Sequence, residues 1–549
     1  MKKILSVLIL AALLLTSCQN TSTEDSSSNI ALEYSNPVKI TLSDNGITCD
    51  DESVYTANDI IYYESGKDFT YGEGEKADEH EKEEADAHTV VHITKAGVYE
   101  ISGKLSQGQI AVDLGDDAKK DETAVVTLVL NGVDITCTVA PGIIFYNVYE
   151  CGDKDNPSMT VDTSKSGANI VIADDSTNTV NGAYVAKIYK SVELNEDGTE
   201  IIDSKKLHKY DGAVYSKKSM SIYGGEKGNG VLNINAENEG LDSELHLTIN
   251  SGNININSGN DGINTNEDGV SVTTINGGNL NIVVNGSTGE GDGIDSNGWL
   301  VINGGNVIAQ ACGTSADSGI DSDMGIYLNG GAVVATGSML DSIEGENSTY
   351  AVFNFSAKQG SNKTYTLKNK KNKTVWEFTS KNKFSNLIVF GNFLTEGTYT
   401  LWQGETQLQN SGKSTGGVGF GGGMGFGGGQ KPQGNMPNFE NGEMPEFDMS
   451  QFGNGQIPEF NGDMSNFPQG ERPEFNGSMP EFDMSQFPNG EMPEFDMSQF
   501  PQGERPNGGQ RPNGQGNGGN FQNSMSEPTK DFEITKGANN FIGVTTLVS

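Results

Sequence analysis

The sequence predicts an all-β protein built around a parallel β-helix, and three observations carry the prediction. First, an apolar residue followed by a Gly-containing turn recurs at intervals of 27, 26, 27 and 26 residues. The copies are Ile222-Tyr223-Gly224-Gly225, Ile249-Asn250-Ser251-Gly252, Ile275-Asn276-Gly277-Gly278, Ile302-Asn303-Gly304-Gly305 and Leu328-Asn329-Gly330-Gly331. Second, another phrase lies between these turns, as Glu239-Gly240-Leu241-Asp242-Ser243, Asp261-Gly262-Ile263-Asn264-Thr265, Asp292-Gly293-Ile294-Asp295-Ser296 and Ser318-Gly319-Ile320-Asp321-Ser322. Third, strand-like alternation flanks the Gly pairs: Leu300 and Ile302 face one way with Val307 and Ala309, Trp299 and Val301 the other. One such repeat cannot bury its own apolar face, so neighbours must stack and share a core. Leu241, Ile263, Ile294, Ile320 and Ile343 are expected in one column of that core.

In chain order, residues 1–17 read as a lipoprotein signal peptide: Lys2 and Lys3, an apolar run over 4–15, then Leu15-Thr16-Ser17-Cys18. That ending resembles a bacterial lipobox, which implies cleavage before Cys18, lipid on its sulfur and a membrane-anchored, extracytoplasmic protein at the cell surface. Residues 18–29 are a polar tether and 30–349 the β-helix, with residues 98–105, 125–130 and 170–173 as earlier rungs. The acidic stretch 73–88 is expected as a solvated loop, and a degenerate early copy of the acidic phrase begins at Asp211-Gly212. Residues 350–410 lose the period and read as the hairpins of a β-rich cap. The segment 411–529 is a Gly/Pro/Met/Phe-rich low-complexity stretch, expected to be disordered, and 530–549 regain strand character as if returning to the cap. Cys137 and Cys151 are close enough in sequence to bridge neighbouring elements, although buried thiols fit equally well.

Composition narrows the function. The 549 residues carry 74 Asp+Glu against 35 Lys+Arg, a net charge of −39 that argues against a nucleic-acid binder. No second long apolar run follows the N-terminal one, so a multi-span membrane protein is excluded. The 130 residues of 228–357 contain sixteen carboxylates and no Lys or Arg. Glu239, Asp261, Asp292 and Asp341 are expected in one column, and Asp242, Asp295, Asp321 and Glu344 in another with Asn264 between them. Stacked about 4.8 Å apart, two uncompensated carboxylates repel by roughly 3 kcal/mol at an effective dielectric near 20. A divalent cation is the expected neutraliser, and oxygen-only ligands at turns suit Ca²⁺.

The repeat, with Ile93-Thr94-Lys95-Ala96-Gly97, Leu128-Val129-Leu130-Asn131-Gly132, the Asp-Gly-Ile turns and the Asn-Gly-Gly turns, resembles bacterial carbohydrate-binding-domain proteins with a pectate-lyase-like, right-handed parallel β-helix. The resemblance spans roughly residues 90–410 and implies a calcium-dependent, non-catalytic binder of cellulose or acidic plant polysaccharide. It departs from the family's usual turn in carrying Asn264, Asp295 and Asp321 where Lys is common. The only arginines are Arg472, Arg505 and Arg511, all outside the predicted folded body, which argues against a lyase with an Arg base. Asp292 with Asp295 is a formal acid/base pair for a hydrolase, and a structural adhesin or stalk is the alternative from another class. For sugar stacking the outward Trp299 and Tyr327 are the candidates, with Trp376, Trp402 and eight cap lysines nearby in sequence. The expected protein is a monomer.

Overall fold

The computed structural model describes residues 31–60, 80–194, 201–345, 348–414 and 527–546, with side chains described throughout those ranges except 186–209. The signal peptide with Cys18, the tether and nearly all of the low-complexity segment lie outside them. Among the described residues the fold is all-β. Helix is confined to Lys82–Asp86 and a 3-10 turn at Asp116–Lys120. One large mixed sheet, a seven-stranded sheet and a two-stranded arm account for the strands.

The repeats stack as three parallel ladders, the third of which narrows to a single bridge at Ile294. The first runs through Gly97–Leu105, Val126–Cys137, Ala168–Ile172, Met220–Gly224, Leu247–Ile249, Val272–Ile275, Trp299–Ile302 and Gly325–Leu328. After each turn a second ladder begins, through Thr177–Gly182, Val231–Ala236, Asn253–Ser258, Asn279–Val284, Asn306–Gln310 and Ala332–Gly337. The third includes Gly108–Asp113, Ile143–Asn147, Gly212–Ser216, Glu239–Ser243 and Ile263–Thr265.

Strand alternation sends one aliphatic row of each ladder inward. Ile222, Ile249, Ile275 and Ile302 meet Leu232, Ile254, Leu280 and Val307, and Leu241, Ile263, Ile294 and Ile320 close the third side, all at 2% exposure or less. Ile343 leaves this column: it pairs with Ile326 in the first ladder and is half-buried. Turn geometry follows from the Gly pairs. Gly278, Gly305 and Gly331 have φ of +87°, +80° and +80°. A Cβ on any of them would come within 2.4–2.7 Å of the carbonyl oxygen of the corresponding Gly one repeat below. Only Gly accommodates both the conformation and the approach. Beside the turns, the Asn276, Asn303 and Asn329 amides each donate to the Asn of the preceding repeat at 2.9 Å.

Three features depart from the sequence expectations. The two-stranded arm, Val185–Leu194 with Ile201–Tyr210, interrupts the parallel order and has no counterpart in the period. Within the acidic stretch, Lys82–Asp86 is helical and His88 is fully buried, its Nε2 accepting the Thr138 N–H at 3.2 Å. Of the expected cap hairpins, Thr364–Asn369 and Thr374–Thr379 pair with each other. Phe384–Gly391 instead joins Ala332–Gly337 and Tyr350–Gln359 in antiparallel fashion, fusing the cap to the large sheet. Phe532–Ile534 and Ala538–Thr546 pair with Gly397–Gln403 and Tyr350–Gln359. They bring Phe532 and Phe541 to ring distances of 5.5 Å from Phe353. Cys137 and Cys151 are free, and burial raises both thiols to about 12.

Candidate functional site

The acidic phrase forms the edge of the third ladder. Its Gly residues donate to the carbonyls of Asp261, Asp292 and Ser318 in turn, which stacks Glu239, Asp261, Asp292 and Ser318. Three residues on, Asp242 is in register with Asn264, and the Asp295 and Asp321 N–H groups donate to the Ile263 and Ile294 carbonyls. The two columns therefore exist over four repeats but end differently from the sequence expectation. Asp341 caps the second column, accepting the Ser322 N–H at 3.1 Å, rather than the first. Glu344 belongs to neither, because it pairs with Tyr327 in the first ladder.

At the upstream end, Asp211, Glu239 and Asp242 converge. One carboxylate oxygen from each lies within 4.8 Å of the other two, and all three residues are at most 2% exposed. Asn264 donates to Glu239 Oε1 at 3.1 Å, while its own Oδ1 is buried without a hydrogen-bond partner. Asn266 donates to Asp242 Oδ1 at 2.6 Å. Gly212 makes the convergence possible, since a Cβ there would come within 2.6 Å of the Asp242 Cβ. Three buried carboxylates and an amide oxygen, with no Lys or Arg among them, form a hard-oxygen donor set of the kind that suits Ca²⁺.

The downstream column is electrostatically strained in the same way. Desolvation, then Asp321, pushes Asp292 up to about 8 and Asp295 up to about 7. Asp321 rises to about 6 through burial and then Asp341, and Asp261 stands well above the usual carboxylate range through burial and then Asp292. Backbone N–H groups offset part of this. Asp292 N–H donates to Asp261 at 2.7 Å, and the Ser318 N–H donates to Asp292 at 2.5 Å.

On the outer face of the first ladder, Trp299 pairs with Gly325 and Val301 with Tyr327, and both aromatics are half-buried. A Cβ on Gly325 would touch Glu344 Cγ at 2.9 Å and Tyr327 Cε2 at 3.5 Å, so a carboxylate flanks the aromatic strip there. In the cap, Trp376 is 9% exposed and stacks on Phe378 at 6.0 Å, while Lys368 Nζ lies 4.4 Å from the centre of the Trp402 ring. Asp211 is the functional candidate that sequence reasoning omitted. Its signal was the early Asp-Gly copy at 211–212, set one place away from the Glu239 alignment.

A family model described as carbohydrate-binding domain-containing protein matches residues 87–366, just over half of the chain. A relative of the same description from Acetivibrio thermocellus is 30% identical over 165 residues, covering 30% of this chain and 43% of the relative. The chain thus spans less than half the length of that curated relative. A solved structure described as the polysaccharide lyase-like protein from C. thermocellum, a gadolinium derivative, is 22% identical and covers 54% of this chain and 94% of that one, at a TM-score of 0.31.

Proposed function

Since this chain belongs to the family of carbohydrate-binding domain-containing proteins, we propose that it binds polysaccharide without catalysis, in a calcium-dependent manner, from the outer surface of the cell. The observation that carries the calcium proposal is the buried Asp211–Glu239–Asp242 convergence with the unpartnered Asn264 Oδ1. Asp211, Glu239, Asp242 and Asn264 would hold one ion. Asp261, Asp292, Asp295, Asp321 and Asp341 would hold others along the column, while Glu344 is left to the aromatic strip. The ion supplies the positive charge that the ladder edge lacks and keeps its carboxylates ionised near neutral pH.

In this reading the ladders wind as a right-handed parallel β-helix. Polysaccharide lies along the outer face bearing Trp299 and Tyr327, whose rings would meet the C–H faces of sugars. Lipid on Cys18 anchors the protein, which acts as a monomer. The folded body's lack of Arg supports binding over lyase chemistry. A stalk or adhesin that makes its contacts through residues 415–526 is the second reading, favoured by the repeated Met-Pro-Glu-Phe-Asp-Met-Ser-Gln-Phe motif there.

Polysaccharide pull-down with full-length protein and with residues 415–526 replaced by a short Gly/Ser linker separates the two. Retention by both supports the binder, and loss on replacement with an unchanged melting temperature supports the stalk. Thermal melts test the metal. Ca²⁺ is expected to raise the melting temperature of EDTA-treated protein by several degrees, and Asp242→Asn to remove most of that shift. Superimposable melts with and without Ca²⁺ would refute the calcium proposal.

A further inference from the structure

A cleft of about 440 Å³ lies between the second ladder and the cap, within the size range of small-ligand sites. It forms where the outward row of that ladder changes character. The row reads Asn233, Asn255 and Asn281 over three repeats and then Ile308 and Val334. The two aliphatic residues meet Trp376, Phe378 and the half-buried Phe393, so the apolar end of the row is where the cap docks. Asn281 remains exposed at the polar edge.

A second row ends in the same place. Asn279 donates to Asn253 at 2.7 Å and Asn306 to Asn279 at 2.8 Å, but Ala332 takes the next position. The amide ladder therefore stops at the exposed Asn306, whose Oδ1 has no amide donor stacked above it. Cap and ladder are held together at this point. The Lys381 N–H donates to Gln310 Oε1 and the Asn382 side chain to the Val284 carbonyl, both at 2.7 Å. The cleft is thus pre-shaped, and filling it requires no parting of the two walls.

We propose that this cleft is a saccharide subsite taking a neutral hexose unit of the bound polysaccharide, an inference that rests on the carbohydrate-binding reading. A pyranose has an apolar C–H face and a rim of hydroxyls that both donate and accept. The cleft matches it with aromatic and aliphatic walls and with side-chain amides, which also do both. The charged lining groups, Glu377 and Lys381, are exposed and opposite in sign, so the cleft offers no net field to attract a uronate.

The chain contains three tryptophans, Trp299, Trp376 and Trp402, so intrinsic emission reports on the site. Full-length protein in Ca²⁺ would be titrated with mannohexaose, cellohexaose and hexagalacturonate, with calorimetry alongside. At least one neutral hexamer is expected to give a saturable emission change that Trp376→Phe reduces, the remainder arising at Trp299. Asn306→Ala is expected to weaken binding up to roughly tenfold, the loss of about one hydrogen bond, and hexagalacturonate to leave Trp376 emission unchanged. Asn281→Ala and Asn306→Ala are surface changes, so they decide the matter if Trp376→Phe disturbs folding. Neutral hexamers bound with unchanged affinity by both Asn variants would overturn the cleft while leaving the carbohydrate-binding reading intact. A Trp376 response to hexagalacturonate alone would overturn the neutral preference, and no binding of any glycan to wild-type protein would end both readings.

Discussion

His246 is 2% exposed, and its Nδ1 accepts the Val272 N–H at 3.1 Å. Burial, reinforced by Lys154, lowers its pKa from 6.5 to about 4. As pH falls below 6.5 the unfolded chain takes up a proton at this residue, whereas the native protein does so only near 4. The native state therefore binds fewer protons in that window, and the contribution to stability is complete above 6.5 and lost towards 4. Denaturant unfolding at about pH 7 and about pH 4.5 is expected to show that wild type loses roughly 2–3 kcal/mol more than His246→Gln. Equal losses would show that His246 carries no such linkage. The carboxylates were legible at the same scale only in part. Glu239, Asp242, Asp292 and Asp295 follow from aligned phrases, but Asp211 does not, because convergence there depends on Gly212 letting Asp242 approach. Glu344 was misplaced for a related reason. Phrase matching aligns Ile343 with Ile320, while the shortened final repeat pairs it with Ile326.

Turns and strands set the next level. The second Gly of each Asn-Gly-Gly turn combines positive φ with close packing on the carbonyl below, so Gly305→Ala is expected to cost at least ~2 kcal/mol in chemical denaturation. Gly269→Ala, also at positive φ but with open space around it, is expected to cost less. A similar loss at both positions would mean that stacking contributes nothing beyond backbone strain. In the cap, Phe541 is 1% exposed and packs between Phe353 and Phe532. Phe541→Ala should destabilise by about 3–5 kcal/mol, whereas exchanging residues 415–526 for a linker should leave the melting temperature within a few degrees. The parallel ladders were readable because a 26-residue period repeats an inward aliphatic at fixed offsets. The antiparallel fusion of Phe384–Gly391 to the last repeat was not readable, since any apolar strand satisfies the local pattern and only long-range pairing selects the partner.

At the scale of the whole molecule, the net charge of −39 is unevenly distributed. Asp211, Glu239, Asp242, Asp261, Asp292, Asp295, Asp321 and Asp341 lie along one ladder edge, and the cap presents Lys358, Lys363, Lys370, Lys371, Lys373, Lys381 and Lys383 on its surface. Calcium binding at the edge would stiffen the stack that carries the Trp299–Tyr327 strip, coupling ion and glycan through one rigid body of parallel strands. The direct test is polysaccharide retention by full-length protein stripped with EDTA, measured before and after Ca²⁺ is restored. Weak retention recovered by Ca²⁺, and not recovered in the Asp211→Asn, Glu239→Gln, Asp242→Asn triple variant, is the predicted result. Retention that is identical in EDTA and in Ca²⁺ would contradict it.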